Sequence, residues 1–124
     1  MTKTISLRTE IKRLLKTLAA NVYYEEAPST VTSYIVFELS EVNKEYGRVL
    51  IQLEINIFDY GQSTTAVETL ADQVQSTFHK YHFIDANIQF MVYEGSRQII
   101  KEEDKQIIRR RLLFEVHLHE LKGE

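Results

Sequence analysis

The stretch VLIQLEINIFDY, Val49 to Tyr60, constrains this chain more than any other. Val49, Ile51, Leu53, Ile55 and Ile57 share one phase of a period-two pattern, and Gln52, Glu54 and Asn56 share the other. Side chains alternate between faces only in a strand, so this pattern predicts a strand with one buried and one polar side. Half-buried strands belong to antiparallel sheets. SYIVFELS alternates in the same way, with Ile35, Phe37 and Leu39 in phase. IQFMVYEG repeats the pattern through Ile88, Phe90 and Val92. The last strand is expected from about Gln106 to Glu120, with Leu112, Phe114, Val116 and Leu118 inward. A shorter strand is expected near Val22 to Glu25, stopped at Pro28, the only proline.

Two segments switch to helical spacing. Leu7, Ile11, Leu14, Leu15 and Leu18 predict a helix from Ser6, read as its N-cap, to about Ala20. Val67, Leu70, Ala71, Val74 and Phe78 predict a second, with Thr65 and Glu68 as a capping box. EVNKEYGR reads as a charged loop, and SRQIIKEEDKQIIR as a hairpin whose tip lies near Glu103. The order α-β-β-β-α-β-β implies an α+β fold, with two helices on one face of a mostly antiparallel sheet. Residues 1–124 read as one domain, since no linker or repeat divides them.

Composition excludes several kinds of chemistry. The absence of cysteine removes disulfides, thiolate zinc sites and cysteine nucleophiles. A net charge of -3 argues against a dedicated nucleic-acid binder. No apolar run approaches the roughly 20 residues of a membrane span, and no signal-peptide pattern opens the chain. The basic residues Lys3, Arg8, Lys12, Arg13 and Lys16 read as the solvated face of the first helix. P-loop, nucleophile-elbow and dinucleotide-binding patterns are all absent, so no catalysis and no cofactor is expected.

The closing QIIRRRLLFEVHLHEL holds the remaining candidates. On a strand, His117 and His119 share the off-core face with Glu115, an arrangement that zinc sites use. With no further ligand nearby, a metal-assisted hydrolase is the weaker reading, and a polar face meeting water or a partner is preferred. Arg109, Arg110 and Arg111 splay to opposite faces, with Glu102, Glu103 and Asp104 just across the turn, which suggests surface ion pairs. The two QII segments place Ile99 and Ile100 near Ile107 and Ile108, so both hairpin faces carry apolar groups. One of those faces needs a cover. The expected subunit interface therefore comprises Phe58, Tyr60, Ile99, Ile107, Arg109, Arg111 and Glu115. A small homo-oligomeric α+β binding domain that dimerises through this hairpin is an alternative.

The layout resembles the tail-completion proteins of long-tailed bacteriophages, comprising tail terminators and tail-to-head joining proteins. The carriers are LRTEIKRLLKTLAANVYYEEAP, SYIVFEL, VLIQLEINIFDYG, STTAVETLADQVQSTF and RRRLLFEVHL. Family members often read V-Y-x-x-x-P and then P-Y-I-V. Here Val22, Tyr23 and Pro28 approximate the first, with the proline one residue late, and Ser33 replaces the second proline before Tyr34, Ile35 and Val36. The resemblance implies a non-enzymatic virion protein of a phage or prophage, at the head-tail junction and assembled in the bacterial cytoplasm. It implies a homo-oligomeric ring, commonly a hexamer, that ends the tail tube and meets the head connector. Tail-tube protein and connector are the implied partners, and DNA is only passing cargo.

Overall fold

The computed structural model describes residues 3–28, 32–45, 48–61 and 64–121. Helix α1 (Lys3–Lys16) is followed by strands β1 (Val22–Tyr24), β2 (Ser33–Glu45) and β3 (Arg48–Tyr60). Helix α2 (Thr64–Phe78) leads to β4 (His82–Ile84), β5 (Ile88–Lys101) and β6 (Ile107–Glu120). The strands form one six-stranded sheet in the order β1-β2-β3-β6-β5-β4. Among the described residues, β1 and β2 pair parallel and the other neighbouring strands pair antiparallel. The fold is α+β with a mixed sheet.

Both helices cover one face of this sheet. Leu7, Ile11 and Leu15 from α1 and Val67, Val74 and Phe78 from α2 share one core with Phe37, Ile55, Phe90 and Phe114. The inward phase of β3 is buried as its alternation requires. Phe78 packs on Phe114 at 5.6 Å between ring centroids. At the helix-facing corner, Glu10 is buried and accepts from Arg13 Nη2 and Tyr81 Oη, each at 2.6 Å. The Arg13 hydrogen bond holds its carboxyl below the ordinary range, against burial, and the Tyr81 bond adds to it.

Four local expectations are corrected. Helix α1 begins at Lys3, so Ser6 is a buried residue within it rather than its cap. It ends at Lys16, where Thr17 donates its hydroxyl to Leu14 O at 2.6 Å, and Leu18 lies beyond the helix, packed on the core. Thr65 lies inside α2, and Glu68 turns to arginines rather than back to a cap. The charged EVNKE segment is strand, because Asn43, Lys44 and Glu45 pair with Leu50, Val49 and Arg48. Polar residues suit an outer strand, and pairing with β3 overrides their loop-like composition. Residues 46 and 47 of that expected loop lie outside the described residues.

The fourth correction is β4, expected only as a polar corner. Three residues are too few to show a period. The strand forms because Asp85 Oδ1 accepts from the N–H groups of Asn87 and Ile88, at 2.7 and 2.9 Å, and so closes a tight turn. These two donors also hold the Asp85 carboxyl below its ordinary value. The long final hairpin turns between Lys101 and Ile107, around Glu103 as expected.

Candidate subunit interface

The sheet face away from the helices is open, and β3 and β6 form its centre. Cross-strand pairing sets its rows: Tyr60 beside Ile107, Phe58 beside Arg109 and Ile100, then Asn56 beside Arg111 and Gln98. Further along come Gln52, Glu115 and Tyr93, then Leu50, His117 and Met91, then Arg48, His119 and Gln89. Phe58, Tyr60, Ile107, Arg109, Arg111 and Glu115 therefore share one face.

One half of this face is a preformed cluster. Tyr34 stacks on Phe58 at 4.8 Å. The Arg109 guanidinium lies 5.1 Å from the Phe58 centroid and donates its Nε to Asn56 Oδ1 at 3.0 Å. Its Nη1 reaches Glu102 at 3.5 Å, an ion pair across the hairpin turn as expected. Asn56 donates to Glu54 at 2.9 Å and is only 3% exposed, although it faces away from the core. A hollow of about 220 Å³ remains between this cluster and Glu25 to Ala27. At the hairpin turn, the Asp104 carboxylate holds the Tyr60 phenol above its ordinary pKa.

The other half mixes polar and apolar groups more than the polar face expected from sequence. Leu50, Leu113 and Met91 are half-buried between Gln52, Glu115 and His117. His117 meets the Tyr93 ring edge-on at 4.7 Å and Glu115 at 3.3 Å. His117 and His119 share the face, and the described residues contain no group of three His, Cys, Asp or Glu side chains placed to hold a metal ion. Nor is any described helix long and apolar enough to cross a membrane.

Ile99 departs from the set. It pairs with Arg110, on the helix side, and is 63% exposed. Ile100 takes the off-core position beside Arg109, so Ile107 is grouped with Ile100 and Ile99 with Ile108. The cause is a β-bulge between Glu94 and Ser96, which inserts one residue into β5 and reverses its phase. Gly95 occupies the bulge, where an added Cβ would stand 2.6 Å from the Leu113 carbonyl oxygen.

Sequence reasoning missed the ion network under the hairpin. Arg97 Nη1 donates to Asp72 at 2.7 Å and Gln75 at 2.9 Å, and its Nη2 donates to Glu68. The buried Arg110 donates to the other Glu68 oxygen at 3.1 Å. The Glu68 carboxyl is held below its ordinary range by Arg110 first and Arg97 second. These contacts tie α2 to the hairpin. No sequence signal marks them, because Glu68 lies 29 and 42 residues from its partners.

No family model matches the chain, and no curated protein matches it in sequence. Solved structures do match its fold. One is a chain in the virion of a native gene transfer agent particle, with a TM-score of 0.68. A virion chain shares this fold. The likeness covers 93% of this chain and 91% of that one, at 10% sequence identity. A second solved structure, whose name states no function, has a TM-score of 0.64 at 10% identity and covers 98% and 94% of the two chains.

Proposed function

We propose that this chain is a structural subunit of a phage-type particle, and specifically a tail-completion protein. The observation that carries the reading is the end-to-end fold likeness to a chain of a gene transfer agent virion. The sequence resemblance to tail terminators and joining proteins points the same way and is independent of that likeness. In this reading the chain forms a homo-oligomeric ring, most simply a hexamer, at the head-proximal end of the tail tube. It caps the tube, presents a surface to the head connector and lets DNA pass through the ring. It acts by contact and catalyses no reaction.

The off-core face supplies suitable contact chemistry. Apolar Ile100, Ile107 and Phe58 lie at its hairpin end beside Arg109 and Arg111, and Glu115 lies further along the same face, an arrangement of apolar centre and charged flank that protein interfaces use. Rim charges set orientation and salt dependence more than raw affinity. Mass measurement across a concentration series, followed by electron microscopy, tests the assembly. Rings are expected, and particles lacking the chain should carry overlong tails. A monomer at every concentration, together with tails of normal length, would overturn the proposal.

A further inference from the structure

The sheet leaves two backbone edges open, and they are complementary. β1 covers β2 only from Ile35 to Phe37, so the outer edge of β2 from Glu38 to Glu45 meets no strand among the described residues. β4 covers β5 only from Gln89 to Met91, and Tyr81 O adds one bond to Val92 N–H at 2.9 Å. The outer edge of β5 from Tyr93 to Lys101 is likewise open among the described residues. Unpaired N–H and C=O groups on a long edge are a template for another strand.

The direction of these groups follows from the bonds already made. Ile35 N–H donates outward to Asn21 O at 2.9 Å, and Phe37 O accepts from Glu25 N–H at 3.0 Å. By alternation Leu39 and Glu41 also turn their backbone groups outward. On β5, Val92 points outward, and the bulge at Gly95 moves that row to Arg97, Ile99 and Lys101. Val42 on one open edge and Ile99 on the other are 59% and 63% exposed.

We infer that the open edge of β2 in one copy pairs antiparallel with the open edge of β5 in the next, so that the sheet continues from subunit to subunit. This inference rests on the ring reading above and deepens it by naming the joint. Three observations select this occupant. β2 and β5 run in opposite directions within the sheet, so copies of like orientation bring them together antiparallel. The open segments are close in length, residues 38–45 and 93–101, and the ends of β1 and β4 act as stops. Full overlap therefore sets Leu39 opposite Ile99, Ser40 opposite Gln98 and Glu41 opposite Arg97, with the two bulges facing each other. Charge opposes the symmetric choice, because full antiparallel overlap of β2 with β2 sets Glu38 of each copy opposite Glu45 of the other.

The geometry also suits closure. The β2 opening lies toward the β2–β3 turn and the β5 opening toward the β5–β6 turn, at opposite ends of the sheet. Neighbours are thus displaced along the strands, and such stagger becomes strand tilt when a sheet closes on itself. A head-to-tail joint of this kind closes into a ring when the rotation fits.

The chain has no cysteine, so an introduced pair reports without ambiguity. In Ser40→Cys/Gln98→Cys the two residues of one chain are separated by β3 and β6, about 14 Å at about 4.8 Å per strand, beyond the roughly 7 Å limit for a disulfide. Oxidation should give a ladder of covalent oligomers that ends at the ring size, and neither single variant should give one. Ile99→Pro removes an outward donor while sparing the bonds to β6, so it should stay folded by circular dichroism and form no rings. If it unfolds, the cysteine ladder decides. Rings without the ladder would overturn the joint and leave the ring reading standing. A covalent dimer from Ser40→Cys alone would show β2 against β2 and overturn it too. Open-ended ladders without rings would uphold the joint and refute the ring, and the absence of both rings and ladders would refute both.

Discussion

Gly95 offers the sharpest test of the β5–β6 packing. Its backbone is not in the left-handed region, so its need for glycine is one of space. A Cβ there would lie 2.6 Å from the Leu113 carbonyl oxygen and 3.2 Å from the carbonyl carbon. Ordinary carbon-to-oxygen contacts are about 3.3 Å or longer, so the strands must part locally by about 0.7 Å. Both atoms met are backbone of β6, which is held between β3 and β5 and cannot rotate aside. Overpacking of this kind costs about 1–3 kcal/mol. Restricting the unfolded chain returns about 0.4–1 kcal/mol. The net loss for Gly95→Ala is therefore about 1.3 kcal/mol. At this chain length, between the sizes for which the scaling is usually stated, that lowers Tm by roughly 5 °C. Gly61→Ala is the control, because the nearest atom to its added Cβ is a side-chain oxygen of Asp59 at 3.5 Å. It should stay within about 0.5 kcal/mol of the parent, as surface changes usually do. Thermal unfolding by circular dichroism measures both, and urea unfolding at unchanged m checks that the transition is the same one. If Gly95→Ala melts with Gly61→Ala, the bulge accommodates a side chain and space at Leu113 does not require glycine.

Three further outcomes follow from the core, the carboxylates and the hairpin. Phe78→Ala removes a fully buried ring and should lower unfolding free energy by about 3–5 kcal/mol, read from the urea midpoint. Glu10 has a folded-state pKa below its unfolded value, so its contribution is complete above the unfolded pKa and is lost as pH falls through the folded one. Tm of the parent should therefore drop as pH falls below the ordinary carboxylate range, and Glu10→Gln should flatten that slope while lowering Tm at neutral pH. Ile108→Asp puts an unpaired charge on the helix side against the core and should melt well below the parent. Ile107→Asp and Ile100→Asp, on the opposite face, should melt close to the parent in the monomer and weaken assembly, read by mass at matched concentrations. Equal melting of all three would remove the face assignment.

The elements with a long internal period were legible from the chain itself. Val49 to Ile57 alternates over enough residues that only a strand with one buried face fits, and Val67 to Phe78 repeats with only a helix in phase. The α+β class follows from such local periods, the helices on one face from the way layers pack, and the hairpin turn near Glu103 from the charged centre between its two QII segments. The partition of the arginine run was legible too, because consecutive strand residues must face opposite ways. What the tertiary structure decided depends on partners far along the chain. β4 is too short to carry a period and exists because β5 pairs with it. The polar end of β2 is strand because β3 lies beside it. Ile100, and not the expected Ile99, shares a face with Ile107, because one added residue at Gly95 shifts the phase. Arg110 can be buried because Glu68 reaches it from α2, and nothing near either residue announces the other. The open edges of β2 and β5 belong to the same class. A strand's edge is open only by virtue of where its neighbours stop, and that is a property of the assembled sheet rather than of any segment within it.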